Sequence, residues 1–172
     1  MTASKAAGKP ASSASKSRSH SGTNAIELLM EDHKKVKKLF KEFEKLGKQE
    51  DIDGKVEIAN QICEELTLHT TVEEEIFYPA ARAAIGDEEL VNEAIVEHAS
   101  AKDLIAQIRE MSGDDEMYDA KVKVLCEYIN HHVEEEEKEM FPKAKKAGMD
   151  LDDLGAQITE RKEELMTETS AA

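Results

Sequence analysis

One eleven-residue phrase occurs twice in register and limits the fold more than any other feature of the chain. "HTTVEEEIFYP" begins at His69 and "HVEEEEKEMFP" at His132. Each places a glutamate four residues after a histidine and closes on an aromatic residue and a proline. Adding 63 carries His69 to His132, Glu73 to Glu136, Pro79 to Pro142 and Cys63 to Cys126. Upstream of each phrase, "EDHKKVKKLFKEF" at Glu31 aligns with "VEHASAKDLIAQI" at Val96 when 65 is added, and His33 falls on His98. A helical hairpin with one histidine on its first helix and H-x-x-x-E on its second is thus present twice. Two such hairpins can face each other about a pseudo-twofold axis, with their polar residues meeting at the centre.

The apolar pattern has helical period throughout. Thr23-Asn24 offers a cap for a first helix that ends at Gly47. A second follows "EDIDG" and reaches Pro79 or runs past it to Ile85-Gly86. A third, from about Asp87, stops at "SGDD", and a fourth begins there and ends near Pro142 or Gly148. A short amphipathic helix, roughly Leu151 to Met166, closes the chain. Long helices joined by short polar turns must alternate in direction. The expected fold is all-α: an antiparallel up-down four-helix bundle over residues 24–148, with the C-terminal helix of 149–172 outside it or at one end. Residues 1–23 are Ser/Ala/Lys-rich with no acid and almost nothing to bury, so a disordered basic tail is expected there.

Position on the helix selects the inward-facing histidines. Residues three and seven before a given position share its face. For His33 these are Met30 and Ile26, for His69 Leu66 and Ile62, for His98 Ile95 and Val91, for His132 Ile129 and Leu125. All eight are apolar, and Glu73 and Glu136 lie one turn further along the same stripes. Four imidazoles and two carboxylates buried without partners would each cost kilocalories in desolvation. A pair of cations removes that cost, with imidazoles ligating and carboxylates bridging. Nitrogen and oxygen donors without thiolate suit iron or manganese, and zinc is compatible with them too. With 38 acids in 172 residues, one H-x-x-x-acid match is expected by chance. Two in repeat register, with two more histidines at matched positions, are not.

His33, His69-x-x-x-Glu73, His98 and His132-x-x-x-Glu136 together resemble the ligand pattern of the hemerythrin-like HHE cation-binding domain, over about residues 24–146. The resemblance implies a non-haem centre of two iron ions, bridged by the two glutamates and by an oxo or hydroxo group. It also implies binding of dioxygen, or a role in nitric oxide or peroxide chemistry or in iron handling. Oxygen-carrying hemerythrins have a fifth histidine four residues from the third-helix histidine, where this chain has Ala94 or Lys102. Each iron would then keep an open position. Glu65 and Tyr128, each four residues before a ligand histidine, are candidates to compensate, although the plainer expectation is a solvated glutamate and a tyrosine of the outer core.

Other residues are expected to stay outside the centre. Register with His69 selects His132 over His131, which should point about 100° away. The runs "VEEEI" and "EEEEKE" read as mostly solvated faces. Cys63 and Cys126 read as buried inert thiols, in keeping with a cytoplasmic protein. The formal charge of −15 opposes nucleic-acid binding by the folded part, and no apolar run reaches membrane-span length. Ferritin-type Glu-x-x-His pairs are missing, since the residues three before the histidines are apolar. A small-molecule binder or sensor is the expected function. A di-iron enzyme acting on peroxide or nitric oxide, or iron storage or donation for stress repair, is the alternative.

Overall fold

A computed structural model describes residues 23–49 and 51–170. Apart from Thr23, the expected N-terminal tail lies outside the described residues, and His20 with it. Helix α1 is Ala25–Gly47. Helix α2 runs as Ile52–Val72, a π-helical turn Glu73–Phe77 and Tyr78–Ile85. Helix α3 is Glu88–Glu110. Helix α4 repeats the pattern of α2 with Tyr118–Glu135, a π-helical turn Glu136–Met140 and Phe141–Lys146. Helix α5 is Leu151–Ser170.

Side chains settle where these helices start. Asn24 accepts from the Glu27 amide at 3.1 Å while Glu27 accepts from the Asn24 amide at 3.3 Å, a reciprocal cap that satisfies two free donors. Asp51 caps α2 through Gly54, so α2 begins inside "EDIDG" rather than after it. Asp87 caps α3 through the Leu90 amide. Gly86, with φ of 71°, ends α2 in the left-handed conformation that favours glycine.

The buried apolar side chains form two clusters, and the order in which each helix visits them gives the topology. Helix α1 passes from Ile26 and Leu29 in one cluster to Val36 and Phe40 in the other. Helix α2 goes the opposite way, from Ile62 and Leu66 to Val72 and Phe77, α3 returns from Val91 to Ile105, and α4 reverses again from Leu125 and Ile129 to Met140 and Phe141. This is the up-down-up-down bundle expected from the sequence. On every helix the change of cluster falls at a histidine, so the four histidines occupy one level between the clusters. One detail differs: Ile95 is partly exposed, and the inward stripe of α3 runs through Val91, Ala94, His98 and Ala101.

Both π turns precede a proline. Proline has no amide hydrogen, and its ring presses on the carbonyl four residues back, which breaks an ordinary helix. Here the Tyr78 amide donates to the Glu73 carbonyl and the Phe141 amide to that of Glu136, five residues back. The wider turn relieves the clash, and both helices continue past Pro79 and Pro142.

Helix α5 packs along the outside of α1 and α2, burying Leu154 and Ile158 in the cluster of Ile26 and Leu29. Gly155 permits this. A Cβ there would lie 2.5 Å from the Thr23 carbonyl oxygen and 3.0 Å from the Ala25 amide nitrogen, both backbone. Glycine to alanine inside a helix normally gains up to about 1 kcal/mol. At this position overpacking outweighs the gain, and Gly155→Ala is expected to lose about 1–3 kcal/mol in denaturant unfolding. Stability at or above that of the parent chain would contradict this seating of α5.

Candidate metal centre

All six residues singled out by spacing converge. His33, His69, Glu73, His98, His132 and Glu136 are buried, none more than 4% exposed. The Nε2 atoms of His69 and His98 lie 3.2 and 3.3 Å from the same Glu73 oxygen, Oε2. Those of His33 and His132 lie 3.3 and 3.5 Å from Glu136 Oε2. Each glutamate thus links a histidine of its own helix with one from the other hairpin. Two groups have donor atoms within 4.8 Å of one another: His33, His69, Glu73 and Glu136, and Glu73, His98 and His132. Glu73 belongs to both.

Each imidazole is turned by a carboxylate behind it. Nδ1 of His33 contacts Glu137 at 2.9 Å, that of His69 contacts Asp32 at 3.0 Å, that of His98 contacts Glu74 at 2.9 Å, and that of His132 contacts Glu97 at 2.7 Å. Carboxylates accept, so the Nδ1 atoms carry the hydrogens and the four Nε2 lone pairs point to the centre. These four acids obey the repeat: Glu74 maps to Glu137 by adding 63, and Asp32 to Glu97 by adding 65. The acidic runs are therefore not merely solvated faces, because Glu74 and Glu137 serve histidines. The signal was in the register, but positions beside a ligand normally point well away from it.

A seventh residue was missed. The Tyr78 hydroxyl lies 2.8 Å from Glu136 Oε1, 3.1 Å from His98 Nε2, 3.3 Å from Glu73 Oε2 and 3.4 Å from His132 Nε2. In a regular helix the residue five after Glu73 would leave the stripe, and the extra residue of the π turn brings it back. The repeat places Phe141 opposite it, a ring that stacks on His33 at 5.9 Å and 9° and offers no lone pair. The phenol therefore serves only the His98/His132 side. Neither residue considered as a substitute for a fifth histidine reaches the centre: Glu65 pairs with Lys35, and Tyr128 is 50% exposed. Ala94 is buried and small, while Lys102 binds both oxygens of Glu74 at 2.7 Å. His131 points outward, near Glu97 and Glu135.

The electrostatics are those of a place made for positive charge. Burial and the neighbouring Glu136 hold Glu73 well above the usual carboxylate range. Burial also pushes Glu136 upward, but His132 and His33 outweigh it and keep it low. The two carboxylates are thus shifted in opposite directions. Burial, with both carboxylates, pushes the Tyr78 phenol up as well. Among the described residues, His33 Nε2, His69 Nε2, Glu73 Oε1 and Glu136 Oε2 are fully covered and have no hydrogen-bond partner. One phenol hydrogen is the only donor facing this ring of lone pairs, and cations fit there as ligand-bound centres. A cavity of about 10 Å³ beside it is lined by His33, His69, His98 and His132 and by the apolar Val36, Leu66, Ile129 and Val133.

A helical bundle whose polar layer gathers histidines and carboxylates able to bind metal defines a class of cation-binding domain. The chain matches the hemerythrin HHE cation binding domain model over residues 24–144 and belongs to that family. A hemerythrin HHE cation binding domain-containing protein, the Rv2633c homolog from Mycobacterium kansasii, has a solved structure with TM-score 0.65 and 25% identity. That match covers 83% of this chain and 86% of the other. A DNA nickase of Nostoc is 30% identical over 69% of this chain and 32% of its own length. An uncharacterised hemerythrin-like protein of Schizosaccharomyces pombe is 24% identical over 72% of this chain and 61% of its own. The chain thus spans about a third of the Nostoc relative and under two thirds of the Schizosaccharomyces pombe relative.

Removing the acceptor behind a ligand histidine typically weakens metal binding about 10- to 100-fold. Glu74→Gln and Glu137→Gln are each expected to do so in chelator competition, although neither residue is expected to touch the metal. Parent-like affinity in both would show that these carboxylates do not orient the imidazoles.

Proposed function

We propose that the chain holds two iron ions bridged by Glu73 and Glu136 and uses them to bind a small ligand, dioxygen or nitric oxide. The observation that carries this reading is the convergence of four imidazole Nε2 atoms, those of His33 and His69 without a partner, and two carboxylates on one buried layer. Nitrogen and oxygen donors without thiolate suit iron. When bound, the iron pair supplies a redox-active centre at which a small ligand adds.

The residues divide the centre unequally. His98, His132 and Tyr78 surround one position, whereas His33 and His69 surround the other, with Phe141 where a second phenol would stand. On this reading Tyr78 would fill the open position expected beside His98 and His132, and the one beside His33 and His69 would stay open. The cavity, about 10 Å³ and lined by Asp32 and Thr70 as well as the imidazoles and apolar side chains, is at the lower limit for one water-sized molecule. Tyr78 directs its hydroxyl hydrogen to Glu136, so the site also has a proton, released when the phenol ligates, that the sequence does not reveal. That observation favours a second reading, a di-iron enzyme that decomposes peroxide or reduces nitric oxide. Nickase activity is stated for the Nostoc relative alone. Among the described residues no helix is long and apolar enough to cross a membrane. Burial pushes the Cys63 thiol up to about 11 and keeps it unreactive, and the two free cysteines support a cytoplasmic location.

Anaerobic iron loading should give two ions per chain and, in the oxidised protein, a tyrosinate-to-iron charge-transfer band that Tyr78→Phe removes and Tyr128→Phe leaves intact. A chain that takes up no iron would overturn the reading. Mixing the reduced, loaded protein with dioxygen separates the two functions. A spectral change reversed by argon supports binding, and repeated turnover of peroxide or nitric oxide supports catalysis.

Iron should also be lost in acid, because an imidazole ligates only when neutral. Burial lowers His33 and His132, but the Glu136 carboxylate wins and both titrate above the usual imidazole range. Burial holds His69 down at about 4. As pH falls, protons therefore compete first at His33 and His132 and last at His69. Dialysis near pH 4 should strip most of the iron, and full occupancy there would contradict the ligand set.

A further inference from the structure

Helix α5 stands outside the internal repeat, yet it reaches the centre by two contacts. The Arg161 guanidinium donates to Glu75 at 2.7 Å, within the π turn that carries Glu73. The next residue, Lys162, donates to both oxygens of Asp32 at 2.6 and 2.5 Å. Asp32 Oδ2 is in turn the acceptor behind His69 Nδ1, at 3.0 Å. The lysine and aspartate side chains are only 18% and 16% exposed, so this charge-assisted pair is shielded in a way that an exposed surface ion pair is not.

The repeat shows where α5 acts: it braces one half, while on the other half Lys102 of α3 holds both oxygens of Glu74 behind His98 at 2.7 Å. Asp32 maps to Glu97, which serves His132. The second imidazole near Glu97 is that of His131, 3.6 Å away and 65% exposed. The lysine supplied by α5 therefore backs only the His33/His69 half, which is also the half beyond the reach of Tyr78. Without Lys162, Asp32 lies at the edge of the bundle with its own charge to solvate. Turning toward water would then release His69 from its tautomer and direction.

We infer that Lys162 is a positioning residue for the His33/His69 cation position: by holding both oxygens of Asp32 it fixes His69 for ligation, and α5 thereby sets the affinity of one metal position and not the other. The inference rests on the two-iron reading above. A purely structural role for α5 would act differently, since loosening its packing would lower stability without selecting one position.

Anaerobic iron(II) titration of the full chain, followed by chelator competition, tests it. Lys162→Met should weaken one of the two equivalents about 10-fold or more and leave the other at the parent affinity. Lys162→Arg, which keeps the charge and can donate to both Asp32 oxygens, should restore the weakened equivalent. Lys162→Met added to Asp32→Asn should cause no further loss, because the lysine acts through the aspartate. Ile158→Ala, at a fully buried apolar position of α5, should lower Tm with both equivalents unchanged. Equal weakening of both equivalents by Lys162→Met, no weakening, or the same selective loss in Ile158→Ala would overturn the inference. Failure of the parent chain to bind iron would overturn the metal reading and this inference together, an outcome distinct from any pattern among the variants.

Discussion

The structure depends on the attraction between a buried layer of lone pairs and positive charge. Four imidazole nitrogens and two carboxylates face one another at the middle of the bundle, with one phenol hydrogen among them. Unpaired polar atoms in such a place are costly, and like charges on two adjoining carboxylates add to the cost. Burial and the adjoining Glu136 push Glu73 up, while the imidazoles hold Glu136 down. Cations remove the cost altogether. The same layer orders the fold, because each helix must change from one apolar cluster to the other at its histidine, and a shift along any helix axis would carry a ligand out of the plane.

The π turns reconcile two demands on α2 and α4. Each helix must present a histidine and a glutamate one turn apart, then pass a proline. An α-helical course through Pro79 would set its ring against the carbonyl of Glu75, and one through Pro142 against that of Lys138. Widening the turn at the glutamate avoids the clash and shifts the phase of everything beyond it. That shift carries Tyr78 into the centre and sets Phe141 against His33. A local solution to a backbone problem thus delivers a functional side chain.

What was legible in the sequence follows from this. The histidines and the two glutamates lie on unbroken 3.6-residue stripes and recur in register, so helical geometry alone singles them out. Tyr78 lies beyond the π turn, where extrapolating that geometry points to the wrong residues. Glu65 and Tyr128 were reasonable candidates for a fifth ligand on a straight helix, and on the real one both sit at the surface. The acids behind the imidazoles were obscured differently. Asp32, Glu74, Glu97 and Glu137 neighbour ligands in sequence, but each contacts a histidine on another helix, and only the assembled bundle shows which. Their common register was the available clue, masked by the abundance of acid around it.

Duplication of a hairpin gives two equivalent sets of donors, and on the two-ion reading proposed above a centre that also admits a ligand works better when they differ. This chain breaks the equivalence with few changes. Tyrosine against phenylalanine at one repeat position gives the His98/His132 side an oxygen donor and leaves the other side open. Lys162, from a helix outside the repeat, then braces the His69 imidazole on that open side. The bracing itself is matched, since Lys102 holds Glu74 behind His98 as Lys162 holds Asp32 behind His69, so the proposed difference between the two sides lies in the phenol and in which helix supplies the lysine.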